Sequence, residues 1–249
     1  MSLTLSSPQA KVSWVYVLRG DSVVKLRLLA GASVIALGLG WSSAHAADAV
    51  VDVPRAEDLW YVTLFGGASF PNHVKTDFYG YGYSVDLKTG FVIGGAVGRR
   101  INDTFRVEGE LSYARYKASG YSYSGPFDAD SGPASGNLSA TYLLANVWAD
   151  VAHFGDAKLY VGGGIGAAYV TADTTFNGND YGYGSGGWGF AGQVGAGVTY
   201  AVTQNVDLDF GYRFKAVTSV DLEDNDGGGI YENAKLYSHN LQLGVTLKF

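Results

Sequence analysis

The sequence predicts an all-β protein, an eight-stranded antiparallel up-and-down transmembrane β-barrel. Three observations carry that prediction. Apolar and polar residues alternate with period 2 again and again after residue 60, the connections between the alternating runs are long and short by turns, and an export leader stands at the N-terminus. Helical i, i+3, i+4 stripes are absent, and no later run reaches the 18 consecutive apolar residues of a spanning helix.

The leader begins the chain. Lys25 and Arg27 precede an apolar run from Leu28 to Leu39, and Ala44-His45-Ala46 follows as the small-x-small pattern that a signal peptidase cuts after. Cleavage between Ala46 and Ala47 is expected. The run falls short of the roughly 20 residues a spanning helix needs, so a retained anchor is the weaker reading. Residues 1–22 make a long lead-in that carries Asp21, which fits a true translation start near Val23 or Val24. The expected organisation is a signal peptide over 1–46, a periplasmic segment over 47–58 and a barrel over 59–249.

Composition narrows the chemistry. The 249 residues suit one domain, and the absence of Cys removes disulfides and thiolate ligands. The formal charge is −6; the leader holds Lys11, Arg19, Lys25 and Arg27 against Asp21, so its loss leaves −9. An acidic chain without a basic, aromatic-interleaved face is not built for nucleic acid.

Strands are predicted at about 59–69, 88–98, 104–118, 136–151, 158–172, 188–201, 206–217 and 235–249. Short connections lie at Arg99 to Asp103, Ala152 to Ala157 and Val202 to Asn205; long ones lie at about 70–87, 119–135, 173–187 and 218–234. An even strand number with tight periplasmic turns and longer outer loops is the layout of outer-membrane barrels. Both termini then fall on the periplasmic side. The strands also suit a bilayer, which needs about 9–11 tilted residues, better than the usual soluble strand of about 5–6.

Parity assigns the faces. Leu241, Leu243, Val245, Leu247 and Phe249 share one face of the last strand, and Asn240, Gln242, Gly244, Thr246 and Lys248 the other. In the seventh strand Val206, Leu208, Phe210, Tyr212 and Phe214 oppose Asp207, Asp209, Gly211, Arg213 and Lys215; in the third, Phe105, Val107, Leu111 and Tyr113 oppose Arg106, Glu108, Glu110 and Ser112. Alternation alone leaves open a soluble barrel or an inverted one. Aromatics near strand ends favour the inverted one: Trp60, Phe105, Trp148, Tyr200 and Phe249 at the periplasmic end, and Tyr142, Tyr169, Trp188, Phe214 and Tyr237 at the outer end.

The last thirteen residues, Tyr237 to Phe249, alternate apolar positions and finish on an aromatic. With Tyr142 to Val151, Leu159 to Ala168 and Asp207 to Phe214, they resemble the small opacity-type surface antigens and the OmpA-like transmembrane barrel family over nearly the whole mature chain. The resemblance implies an outer-membrane location and recognition by the barrel-assembly machinery through the last strand, with Phe249, Leu247, Val245 and Leu243 as its signal. No peptidoglycan-binding domain is expected after the barrel, so that part of the larger proteins' function is not expected to carry over.

Eight strands enclose a space just wide enough for side chains. Arg106, Glu108, Glu110, Asp150, Asp207, Asp209, Arg213, Lys215 and Lys248 are expected there as a plug of salt bridges, against the alternative of an ion pathway. Lumenal Gly162, Gly164, Gly166, Gly195 and Gly197 leave room for a narrow slot. Parity turns Arg115 and Lys117 outward near the outer rim, as contacts for lipid headgroups and lipopolysaccharide or as solvated charges.

No catalytic, cofactor or metal site is expected. His45 leaves with the leader, and His73, His153 and His239 meet no Ser/acid partners on one face. The segment Asp221 to Gly227 fails calcium-loop spacing, since Leu222 and Asn233 would occupy the first and twelfth positions. Tyr79, Tyr81, Tyr83, Tyr121, Tyr123, Tyr181 and Tyr183, set among Gly and Ser in the outer loops, give adaptable surface for an extracellular ligand or simple loop filling. The functional expectation is a structural, surface-exposed barrel supporting the envelope, with a narrow porin-like channel as the alternative.

Overall fold

The structure, a computed structural model, describes residues 60–78, 81–178, 184, 186–223 and 230–249. The expected leader, its Ala46–Ala47 cleavage point and the 47–58 segment lie outside the described residues, as do Tyr79, Tyr181, Tyr183 and residues 224–227 of the acidic segment.

The ten strands are β1 (Trp60–Pro71), β2 (Val74–Phe78), β3 (Tyr81–Leu87), β4 (Gly90–Arg100), β5 (Phe105–Ser124), β6 (Ala129–Phe154), β7 (Ala157–Phe176), β8 (Gly186–Ala201), β9 (Val206–Glu223) and β10 (Ile230–Lys248). Eight of them, β1, β4, β5, β6, β7, β8, β9 and β10, form a closed antiparallel ring in that order. The seam is the pairing of β10 with β1, which runs without interruption from Tyr61 opposite Lys248 to Pro71 opposite Ser238. This is the predicted eight-stranded barrel.

Outward positions carry the large apolar side chains. Leu64, Ile93, Leu111, Leu143, Ile165, Val194, Phe210 and Leu243, one from each ring strand, are 54–67% exposed. A belt of that size around the whole circumference is incompatible with water and matches hydrocarbon. Inward positions at the same height carry Arg106, Glu110, Asn146, Asp150, Gln193, Arg213, Lys215 and Gln242, all buried. The alternative of a soluble barrel is thereby excluded.

The apolar outer face ends at a consistent level. On β7 it runs from Leu159 to Tyr169 before Thr171, Asp173 and Thr175 take over; on β5 it runs from Phe105 to Tyr113 before Arg115 and Lys117. These spans of about 9–11 residues are what a tilted strand needs to cross a bilayer. Exposed Tyr169 and Trp188 pack together at 5.3 Å at this level, Phe91 lies against Tyr113 at 6.2 Å, and Phe214 stacks on Tyr237 at 6.1 Å. Trp60, Phe105, Tyr200 and Phe249 are exposed at the periplasmic end. Two expected girdle residues are corrected: Trp148 and Tyr142 are 1% and 0% exposed and point into the lumen.

Above that level the expected long loops are largely strand. β6 has 26 residues, about 85 Å of extended chain, and β5 and β7 have 20 each. β5 and β6 are joined by only 125–128. The hairpin β2–β3 continues the ring there, β2 pairing with β10 and β3 with β5 in place of the shorter β1 and β4. Outside the membrane level the two faces exchange character. Val74, Val85, Tyr121, Leu138, Phe176, Val220, Leu222 and Leu236 fill the interior while serines, threonines and Asn137 face out.

The predicted strands end at 118 and 217 for a physical reason. A β-bulge interrupts the β5–β6 register between Lys117 and Gly120, so the inward set changes from Ser112, Ala114, Tyr116 and Ala118 to Tyr121. On β9, Ser219 takes a left-handed φ of 61° and the inward set changes from Arg213, Lys215 and Val217 to Val220 and Leu222. Alternation read along the sequence breaks at both points although the strands continue.

The membrane level makes a measurable difference between two outward positions. Leu243→Arg, mid-belt on β10, should destabilise the barrel by about 2–4 kcal/mol, and Thr171→Arg by about 0–1 kcal/mol. Equilibrium denaturant unfolding from lipid vesicles reads both; equal costs would displace the assigned boundary.

Candidate functional site

The lumen at membrane level is a layered network of side chains. Its centre is Glu110 on β5, whose carboxylate meets four donors. Oε1 accepts from Lys215 Nζ at 2.5 Å and Ser112 Oγ at 2.8 Å, and Oε2 from Gln193 Nε2 at 2.6 Å and Asn146 Nδ2 at 3.0 Å. Lys215 reaches from β9, on the far side of the ring, and also donates to Ser112 Oγ at 2.7 Å. Both charges are almost wholly withdrawn from water, with side-chain exposures of 1% and 5%. Desolvation on this scale is tolerable only because each charge is paired and its remaining capacity used.

Below this pair, toward the periplasm, arginines lie between aromatic rings. The Arg213 guanidinium stands 4.1 Å from the Trp148 ring centre and 5.1 Å from that of Tyr160, and its Nη2 donates to the Tyr160 hydroxyl at 2.8 Å. The Arg106 guanidinium also lies over the Tyr160 ring, 4.5 Å from its centre. Tyr160 donates to Asp209 Oδ1 at 3.0 Å; Glu108 accepts from Trp148 Nε1 at 2.7 Å and Tyr61 at 2.8 Å. At the mouth, Lys248 pairs with Asp207 at 2.8 Å, and Arg100 with Asp150 at 3.0 Å.

The glycines are shaped by this filling. A Cβ on Gly197 would stand 2.3 Å from the Tyr160 hydroxyl, one on Gly195 would stand 2.7 Å from Arg213 Cδ, and one on Gly164 would stand 2.0 Å from Asn146 Oδ1. The room that the lumenal glycines leave is occupied by the large side chains of neighbouring strands, and no slot is left at those points.

Tyr142 roofs the polar layer, its ring 4.7 Å from Lys215 Nζ, and the apolar interior of the outer extension begins directly above. Tyr116 bonds Ser69 at 2.7 Å there, and Tyr121 stacks on Phe176 at 4.6 Å while bonding Asp130 and Asn177. Tyr83 packs against the same interior and on Tyr123 at 5.2 Å. The expected Tyr/Gly-rich loop surface is therefore corrected: Tyr81, Tyr83, Tyr121 and Tyr123 belong to strands, and Tyr83, Tyr121 and Tyr123 close the top of the barrel. Phe127, in the β5–β6 tip, is 91% exposed.

Sequence reading placed Arg106, Glu108, Glu110, Asp150, Asp207, Asp209, Arg213, Lys215 and Lys248 in the lumen, and the structure turns them inward in several groups: Glu110 with Lys215; Arg106, Glu108, Asp209 and Arg213 around Trp148 and Tyr160; Asp207 with Lys248; and Asp150 with Arg100. It missed Arg100, assigned to a turn, and the uncharged members Asn146, Gln193, Tyr61, Trp148 and Tyr160. The inward parity of Asn146 and Gln193 on β6 and β8 was the available signal. Arg115 and Lys117 are exposed on the outward face. Leu243, Val245, Leu247 and Phe249 are exposed on the β10 exterior, and the Phe249 amide donates to the Trp60 carbonyl at 3.0 Å.

Among the described residues no group of three His, Asp or Glu is arranged to hold a metal. His73 bonds Asp86, His239 Nδ1 lies 2.6 Å from the Tyr212 hydroxyl on the outer face, and His153 is exposed near the end of β6.

Comparison with known proteins gives a consistent picture. A family model described as the outer membrane protein beta-barrel domain matches residues 33–249. An uncharacterized protein of Brucella abortus is 31% identical over 219 residues, covering 71% of this chain and 76% of its own length. A putative adhesin of Rickettsia felis is 28% identical over 122 residues, 48% of this chain and 54% of its own length. Among solved structures, the outer membrane protease OmpT of Escherichia coli superposes with a TM-score of 0.50 at 11% identity, covering 78% of this chain and 98% of its own. At that identity it shares the fold alone.

Breaking the central pair should be costly. Lys215→Met leaves the Glu110 charge buried and is expected to cost about 3–5 kcal/mol, most of which Glu110→Gln in the same chain recovers. Denaturant unfolding of both variants and the double variant measures the coupling; additive effects would contradict a direct pair.

Proposed function

Because this chain belongs to the outer membrane protein beta-barrel domain family and lies in bacterial outer membranes, we propose that it is a closed structural barrel exposed at the cell surface, supporting the envelope and presenting a rigid β-extension outward. One observation carries the reading: the lumen is filled twice over. The charge network around Glu110 and Lys215 occupies the membrane level, and the apolar interior from Tyr116 to Phe176 occupies the extension above it.

An ion would need both layers to move. The upper one is lined mainly by aliphatic and aromatic side chains, and polar groups such as Tyr116 and Ser69 are already bonded to each other, so loss of the lower network still leaves a barrier. The extension suits contact because its position is fixed by strand pairing rather than by loop conformation. Its 125–128 tip holds an exposed Phe127, and the likeness to a putative adhesin supports a role in surface contact.

The narrow-channel reading is supported by the charged lining alone. Single-channel recording in planar bilayers separates the two. Protein shown to be folded by its heat-modifiable gel migration should be silent, and Arg213→Ala should be silent as well because the apolar layer remains. Sustained openings in the unaltered protein, changed by Arg213→Ala, would replace the structural reading with the channel.

A further inference from the structure

Among the described residues the outward face holds cations at the depth where a bilayer changes from hydrocarbon to headgroup, Lys75 opposite Lys235 on β2 and β10 and a second group on β5 beside a cleft. Arg115 and Lys117 project from β5 immediately above Tyr113, whose ring lies against Phe91 at the top of the apolar belt. β3 ends at Leu87 and β4 begins at Gly90, and the break between them opens the wall beside β5. The result is a cleft of about 460 Å³ lined by Thr89, Gly90, Phe91, Arg115, Lys117 and Asn137. Exposed Lys88 stands in the break, its amide donating to the Lys117 carbonyl at 2.9 Å.

The nearest acids form no salt bridge with the group among the described residues. Asp86 is bonded by His73, and Asp173 is in register with Asn137, which places it two strands, roughly 10 Å, from Lys117. Neither Arg115 nor Lys117 forms a salt bridge among the described residues. Two cations lining a cleft with Phe91 at its apolar side, and exposed Lys88 next to its edge, form a site for an anion attached to a hydrocarbon anchor. Guanidinium takes phosphate bidentately and ammonium as a point charge.

We propose that this cleft binds the phosphorylated glucosamine headgroup of lipid A, the anionic glycolipid of the outer leaflet. Arg115 and Lys117 grip a phosphate, Lys88 adds charge from above, Thr89 and Asn137 meet sugar hydroxyls, and an acyl chain runs down past Phe91 along the belt. The position selects a lipid over a free anion, because only a membrane-anchored phosphate is held at this depth and supplies the chain that Phe91 faces.

The test uses protein purified in detergent from the outer membrane of an expressing Gram-negative host and titrated with lipid A, with dephosphorylated lipid A and with soluble glucosamine phosphate. Lipid A should bind, the other two should bind far more weakly, and Arg115→Gln and Lys117→Gln should each weaken lipid A about fivefold, the equivalent of about 1 kcal/mol per charge. Arg99→Gln, which removes an outward cation at the periplasmic rim beside Trp60, should leave binding unchanged. Retained heat-modifiable migration shows that each variant is folded. Undiminished binding by the Arg115→Gln/Lys117→Gln variant, an equal loss in Arg99→Gln, or binding that ignores the phosphate would overturn the site. Equal affinity for soluble glucosamine phosphate would overturn its assignment to the lipid.

Discussion

The seam between β1 and β10 is the constraint on which everything else rests. In hydrocarbon no water is present to satisfy a peptide group, so a sheet with an open edge cannot span. The pairing from Tyr61–Lys248 to Pro71–Ser238 removes both edges of the membrane level at once. It joins residues from opposite ends of the barrel domain, so its loop-closure entropy is recovered only when the other seven pairings are in place. Where β1 and β4 stop, β2 and β3 take their places between β10 and β5, so strand pairing continues into the extension on that side.

Closure at eight strands sets the size of the interior, and the interior sets the chemistry. A narrow lumen lined by charges from opposing strands forces those charges into contact, which is why Glu110 on β5 meets Lys215 on β9 directly. The ring is also narrow enough that Trp148, Tyr160 and Arg213 fit only against glycine. Gly162 lies under Trp148, and Gly195, Gly197 and Gly211 lie under Tyr160 and Arg213, so a Cβ at any of them would collide with the side chain above. Charge network and glycine pattern are two sides of one packing solution.

The exchange of faces at the outer boundary follows from solvent. Below Tyr113, Tyr169 and Trp188 the exterior is lipid, and the apolar residues go outside; above them the exterior is water, and the apolar residues go inside. The chain makes that exchange within continuous strands, partly by bulges such as those at Lys117–Gly120 and Ser219 that turn the alternate set of side chains inward. A barrel with a membrane half and a water half results. The closed interior and the stiff outer rim are consequences of the same arrangement.

The sequence by itself determined the eight strands of the membrane ring, their antiparallel order, the short turns, the apolar and charged faces at membrane level, and the lumenal location of charges such as Glu110, Arg213 and Lys215. Period 2 is a local property, and within the bilayer one rule of burial applies along the whole strand. Only the tertiary structure decided the rest. It extended the strands past 118 and 217, because a bulge shifts parity without ending pairing. It moved Tyr142 and Trp148 from the girdle to the lumen and Tyr83, Tyr121 and Tyr123 from loop surface to barrel interior, because an aromatic ring carries no sign of which solvent it faces. It chose the partner of each charge, since which acid meets which base across the ring depends on strand stagger, and stagger is set by closure.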